Sequence, residues 1–255
     1  VTDHIQIEKS NGVLTLVMNR PDKKNALTDA MYKSLADAIE NANDDSDVRA
    51  ILLRSEGDLF TSGNDIGEFA AVAAGGGGLH NVARFIRAIA TAAKPLIAAV
   101  QGRAVGIGTT MLLHCDHVVL AEDAQLTTPF VSLALVPEAA SSLLLPQRIG
   151  HVRAFSMFAL GEAVGAHDAV AWGLANKVVP NEELQETARN FAERLARQPL
   201  GALVATKKLM RATGPITAHM DTESKLFGER LSTGEAREAF TAFAERRAPD
   251  FSGFA

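Results

Sequence analysis

Cysteine is nearly missing from this 255-residue chain. Cys115 stands alone, so no intrachain disulfide can form, and a reducing, cytoplasmic setting is expected. Long apolar runs are missing as well. The stretch from Ala92 to Val100 is broken by Lys94 and Pro95, so no membrane span is expected. The first residues, VTDHIQIEKSNG, carry neither a basic patch nor an apolar block, and a secretory leader is not expected. Net charge is −5 with no long basic run. Arg246–Arg247 with Arg237 nearby is too small a cluster to imply nucleic-acid binding.

Several catalytic signatures are absent too. No G-x-S-x-G elbow occurs, which argues against a serine hydrolase of the α/β type. Gly102, Gly106 and Gly108 run G-x-x-x-G-x-G rather than G-x-G-x-x-G, and no GK[ST] follows, so a nucleotide-phosphate loop is not supported. His114–Cys115–Asp116–His117 is metal-ligand material, but at a helix-to-strand junction successive side chains diverge. No second Cys/His cluster completes a site, so no metal is expected.

What is present is ordinary globular material, 47% apolar and 22% charged, with ample side chains for a core. Ile5–Glu8 and Val13–Met18 flank Ser10–Asn11–Gly12 and read as a hairpin. Thr28 caps a predicted helix with Met31, Leu35, Ala38, Ile39 and Ala42 on one face. Val48–Leu53, Leu96–Val100 and His117–Leu120 read as buried strands, with a helix through Val82, Ile86, Ile89, Ala90 and Ala93 between the first two. Ala70–Gly78, ending in four glycines, reads as a mobile segment that disfavours helix. The later chain is mainly helical, over His151–Leu160, His167–Trp172, Asn181–Ala196, Leu200–Ala212, Thr217–Leu231 and Glu235–Ala244. One short strand, Lys177–Val179, interrupts them. The expected class is α/β with a helical appendage.

Two loops and one carboxylate carry the candidate chemistry. FTSGND and QGRAVGIG each follow a predicted strand and are rich in small residues, which lets backbone N–H groups point outward. Facing each other they would form an oxyanion hole; alone, each is equally a tight turn. Glu138 lies in the apolar stretch LTTPFVSLALVPEAASSLLLP from Leu126 to Pro146. Burial there would raise its pKa toward the range of proton transfer. The alternative is a charge opening a short helix and complementing its dipole.

Taken together, these motifs resemble the crotonase superfamily of enoyl-CoA hydratases and isomerases. The resemblance rests on NRPDKKNALT at Asn19–Thr28, FTSGNDIGEF at Phe60–Phe69, the stretch from Lys94 to Phe130, and the tail from Phe243 to Phe251. It implies a spiral of ββα units over residues 1–199 and a C-terminal helical region, 200–255, that mediates homotrimers or dimers of trimers. It implies oxyanion-hole amides at Ser62 and Ile107, and contacts to substrate or coenzyme A at Lys24, Ala26, Gly63, Asn64, Asp65, Ile66, Gly108 and Phe130. The Gly75–Gly78 segment would border the acyl pocket as a lid. Coenzyme A would enter as part of the substrate, with no separate cofactor.

The departures from the family's pattern narrow the reaction. The two glutamates of a hydratase would stand where this chain has Thr110 and Phe130, so concerted water addition lacks its acid/base pair. Glu138, within Thr128–Ser142, sits where peroxisomal-type Δ3,Δ2-enoyl-CoA isomerases place a single catalytic glutamate. The resemblance therefore implies an isomerase of fatty-acid β-oxidation. Another crotonase-type reaction, such as hydration, and a non-catalytic acyl-CoA-binding protein are the alternatives.

Overall fold

The computed structural model describes residues 2–73 and 80–254. In chain order the elements are β1 (Ile5–Ser10), β2 (Val13–Met18), α1 (Asp29–Asp44), β3 (Ala50–Ser55), α2 (Ile66–Ala73), α3 (His80–Thr91), β4 (Leu96–Val100), β5 (Arg103–Val105), α4 (Ile107–Thr110), β6 (His117–Ala121) and β7 (Gln125–Thr127). There follow α5 (Ser141–Ile149), α6 (His151–Leu160), β8 (Val164–Gly165), α7 (Ala166–Ala171), β9 (Lys177–Val179), α8 (Leu184–Ala196), α9 (Leu200–Met210), α10 (Thr213–Leu231) and α11 (Gly234–Glu245).

A six-stranded sheet in the order β1-β2-β3-β4-β6-β9 organises the molecule. Only β1–β2 is antiparallel, closed by Asn11 and Gly12 at positive φ of 51° and 76°, as a tight hairpin with right-handed strand twist requires. The other pairings are parallel. Both faces are therefore covered, and the strands alternate between two cores. Leu14, Leu16, Ile51, Leu53, Leu96, Ala98, Val118 and Leu120 face the larger core with α1 and α3. Val13, Leu52, Ile97, Ala99 and Val119 face α8, whose Ala188, Ala192 and Ala196 repeat every four residues and let it lie close.

Thr28 caps α1, its hydroxyl accepting the Met31 N–H at 3.3 Å. A second sheet, β5-β7-β8, lies beyond the ends of β4 and β6. Its strands span two or three residues each, too few for alternation to register in the sequence.

One expectation is corrected, and one alternative is set aside. Helix α2 runs on to Ala73, so the helical state is not excluded across Ala70–Ala73. Its start is fixed by Asp65, whose Oδ1 accepts the Gly67 N–H at 3.0 Å. The Gly75–Gly78 segment lies outside the described residues. Glu138 does not open a helix: α5 begins at Ser141, three residues later. Among the described residues no helix is long and apolar enough to cross a membrane.

Candidate active site

A cavity of about 660 Å³ opens beside the second sheet. Two backbone segments form its floor. Thr61 and Ala104 pair as an isolated parallel bridge, with the Thr61 N–H donating to Arg103 O and the Val105 N–H to Thr61 O, both at 3.1 Å. This clamps the FTSGND and QGRAVGIG loops together. Two glycines make so close an approach feasible. A Cβ on Gly63, where φ is +90°, would stand 2.9 Å from Val105 O, and one on Gly108 would stand 2.5 Å from Thr61 Cγ2.

The amides of these loops divide into engaged and unengaged. Ser62 is not the donor that the resemblance implied, because its N–H donates to Lys24 O at 3.0 Å. Asn64 takes that place. Its bridge to Leu27 uses Gly63 O and Asp65 N–H, so the Asn64 N–H points to the opposite edge. Ile107, the first residue of α4, has no carbonyl of that helix within reach. Among the described residues neither the Asn64 nor the Ile107 N–H has an acceptor, and both residues line the cavity.

Lys24, Ala26, Ser62, Gly63, Asp65, Ile66 and Phe130 line the cavity as well. Gly108 does not: it packs on Thr61, and its part is loop contact rather than ligand contact. Phe130 is buried, its ring tilted 45° to that of Phe158 at 6.1 Å. Lys23, Lys24 and Arg103 bring positive charge to the lining. The far wall comes from α11, through Ala239, Phe240 and Phe243, and from Arg247 just beyond its end.

Glu138 is buried, with 9% of its surface accessible, and is not itself among the residues that line this cavity. Its Oε1 accepts the Thr110 hydroxyl at 2.6 Å, and Oε2 has no partner. Thr110, which holds the carboxyl, ends the single turn that Ile107 begins, so one short helix carries both the unengaged amide and the hydroxyl that Glu138 accepts. Burial pushes the Glu138 pKa up to about 8; the Thr110 hydrogen bond opposes this and the charge of Glu223 adds to it. Thr128 Oγ1 and Ser141 Oγ, in the same stretch, are likewise buried without partners.

Three contributors escaped the sequence reading. Thr110 was visible only as a missing glutamate, whereas its hydroxyl orients Glu138. Tyr32, the one tyrosine, is fully buried on α1 and donates to Asn64 Oδ1. A phenol on an apolar helix face needs a polar partner, which was the available signal. Burial raises its pKa further above that of free tyrosine, and Glu138 contributes charge to the same end. Glu223, on α10, accepts the N–H groups of Ala140 and Ser142 at 2.6 and 2.9 Å. It stands in the apolar series Ile216, Met220, Glu223, Phe227, and a carboxylate within such a stripe is a readable signal.

The His114–His117 run disperses as its position suggested. His114 Nε2 meets Ala139 O at 2.7 Å and Asp116 pairs with Lys207 at 2.6 Å. Cys115 is buried, and His117 stacks on Phe191. Among the described residues no group of three His, Cys, Asp or Glu could hold a metal ion.

The family model described as enoyl-CoA hydratase/isomerase matches residues 8–253. The chain belongs to that family. This enoyl-CoA hydratase/isomerase family member is 35% identical to a Rhodobacter capsulatus protein named as a probable enoyl-CoA hydratase, over 98% of each chain. It is 33% identical to the Escherichia coli 1,2-epoxyphenylacetyl-CoA isomerase, over 95% of each. The crystal structure of an enoyl-CoA hydratase/isomerase from Pseudoalteromonas atlantica T6c superposes with a TM-score of 0.93 at 38% identity, covering 98% of this chain and 100% of that one. The fold is thus the crotonase fold, and the protein is an enzyme of this family. Its relatives carry both hydratase and isomerase names, so the reaction has to be argued from the site.

Proposed function

We propose that the enzyme shifts the double bond of a 3-enoyl-CoA thioester into conjugation, giving the trans-2-enoyl-CoA. The observation that carries this reading is Glu138, a buried carboxyl with one oxygen held by Thr110 and the other free, Thr110 lying in the same turn as Ile107. As carboxylate, Glu138 removes a proton from C2 of the substrate. Negative charge moves to the thioester oxygen, where the Asn64 and Ile107 N–H groups receive it, and Glu138 returns the proton at C4. One base suffices because nothing is added or lost. No cofactor enters, since the step is neither redox nor group transfer.

Supporting residues fit this chemistry. Thr110 and Phe130 occupy the positions at which the family's hydratases carry acid and base, and Phe130 keeps the acyl site apolar. Lys23, Lys24 and Arg103 suit the phosphates of coenzyme A, with Lys24, Ala26 and the Asn64–Ile66 turn along its path. The exposed apolar residues Leu209 and Met210, 89% and 82% accessible, support self-association as a homotrimer or dimer of trimers. A lone cysteine supports a reducing, cytoplasmic compartment.

Product mass tests the reading. With 3-hexenoyl-CoA as substrate, isomerisation leaves the mass unchanged, whereas hydration of a 2-enoyl-CoA adds one water. The expected result is unchanged mass with 3-hexenoyl-CoA, and loss of turnover by roughly a thousandfold or more in Glu138→Gln, which keeps the shape but removes the base. Retention of most of the rate in Glu138→Gln would remove Glu138 from the mechanism. Water addition as the dominant reaction would favour the hydratase reading.

A further inference from the structure

We propose that Glu223 is a positioning residue that holds the turn carrying Glu138, so that the C-terminal helix α10 sets the geometry of the proton shuttle. The inference rests on the role of Glu138 proposed above.

The turn needs an outside hold. Ala139 and Ala140 follow Glu138 directly, and both adopt left-handed backbone, with φ of 61° and 54°. L residues avoid this region, and two in succession persist only where the surroundings fix them. No side chain of α5 caps its N-terminus, since the N-cap is Ala140. Glu223 supplies the missing acceptors from α10. Its Oε2 accepts the Ala140 N–H at 2.6 Å, and its Oε1 accepts the Ser142 N–H at 2.9 Å and the Ser142 hydroxyl at 2.5 Å. Within the turn, Glu138 O accepts the Ser141 N–H at 3.0 Å.

The carboxylate is itself buried, and its helix is anchored in the main core by Ile216 and Met220 on the same face. A charge there is tolerated because several N–H and O–H dipoles converge on it. His219, one turn earlier, has Nε2 2.7 Å from Ser142 Oγ and 3.6 Å from Glu223 Oε1. With the Ser142 hydroxyl donating to Glu223, the imidazole donates to Ser142 Oγ and completes the clamp.

Glu223 also acts on Glu138 through its charge, which adds to the effect of burial in holding the Glu138 carboxyl protonated. The groups that bear on Glu138 are thus Glu223 from α10 and the Thr110 hydroxyl from α4. Loss of that charge would lower the Glu138 pKa, whereas loss of the hold on the turn would lower kcat, so the two effects of Glu223 are read separately.

The test measures kcat, KM and the pH profile of kcat/KM with 3-hexenoyl-CoA, or with a 2-enoyl-CoA if that is what the wild type turns over. Glu223→Gln keeps the size but cannot accept from all three donors, and it removes the charge. It is expected to lower kcat by about tenfold or more with KM within about twofold, and to move the acid limb to lower pH. Glycine at both Ala139 and Ala140 in that background is expected to recover part of the rate, because glycine adopts left-handed backbone without the steric cost that alanine carries. Unchanged kcat in Glu223→Gln overturns the proposal. So does a rate loss with an unmoved acid limb and no glycine recovery, which would mark general destabilisation. Should Glu223→Gln fail to fold, Ser142→Ala, which removes one of the three donors, is expected to lower kcat by about two- to fivefold at unchanged KM. An unaltered kcat there overturns the proposal as well. If Glu138→Gln stays active, the proposed function falls; if Glu138→Gln is dead and Glu223→Gln behaves as wild type, only this inference falls.

Discussion

Glu138 sits in a setting that favours its neutral form, and that has two opposite consequences for pH. Its folded pKa of about 8 stands above the ordinary carboxyl value of 4.5. Removing a substrate proton needs the carboxylate, so kcat/KM should rise with pH and level off above about 8. Stability should run the other way. The folded state binds this proton more tightly than the unfolded chain, so the contribution is fully present below 4.5 and is lost as pH rises through about 8. Urea denaturation of wild type and Glu138→Gln across that range should show the wild type losing stability relative to the variant; parallel curves would contradict the shift. Tyr32 contacts the other side of the site, through Asn64. Tyr32→Phe removes the hydroxyl that Asn64 Oδ1 accepts, and should cost about 1 kcal/mol in urea denaturation and lower kcat a few-fold. A change in KM alone would separate Tyr32 from the oxyanion site.

At the scale of elements, the two clamped loops place the unengaged amides. Gly63 combines a φ of +90° with a carbonyl 2.9 Å from where a Cβ would stand. Gly63→Ala must therefore push the FTSGND loop off the Val105 segment, moving the Asn64 amide away from that of Ile107. We expect kcat/KM to fall by at least about 100-fold, the scale of losing one oxyanion donor, while the rest of the fold survives. The helix cap at Thr28 is the matching control. Thr28→Ala should cost about 1 kcal/mol of stability with less effect on kcat than Tyr32→Phe, because the bond lost is to the Met31 N–H and the Tyr32 contact to Asn64 is kept. The longer strands, the α1 and α3 faces and the longer tail helices were legible in the sequence because each has enough residues for its period to repeat, and the three-residue β9 was read as well. The strands β5, β7 and β8 were not, since they exist by pairing with one another at two or three residues apiece.

At the scale of the whole molecule, the C-terminal helices belong to the site as much as to the surface. Phe240 and Phe243 of α11 wall the cavity, while Leu209 and Met210 at the end of α9 stand open to solvent. If that apolar surface is an interface between copies, Leu209→Glu together with Met210→Glu should shift the assembly to smaller species in light scattering. An unchanged assembly mass would place the interface elsewhere.

The sequence by itself determined the α/β class, the two glycine-bearing loops and the singular position of Glu138 in an apolar stretch, because these depend on local periodicity and residue type. Only the tertiary structure decided which amides are left without acceptors. Ser62 and Asn64 are two residues apart in one loop, and the hydrogen bond to Lys24 O separates their roles. Thr110 likewise meets Glu138 across 28 positions, and Glu223 reaches Ala140 across 83. Partners of that kind are fixed by how distant segments pack, and no local pattern encodes them.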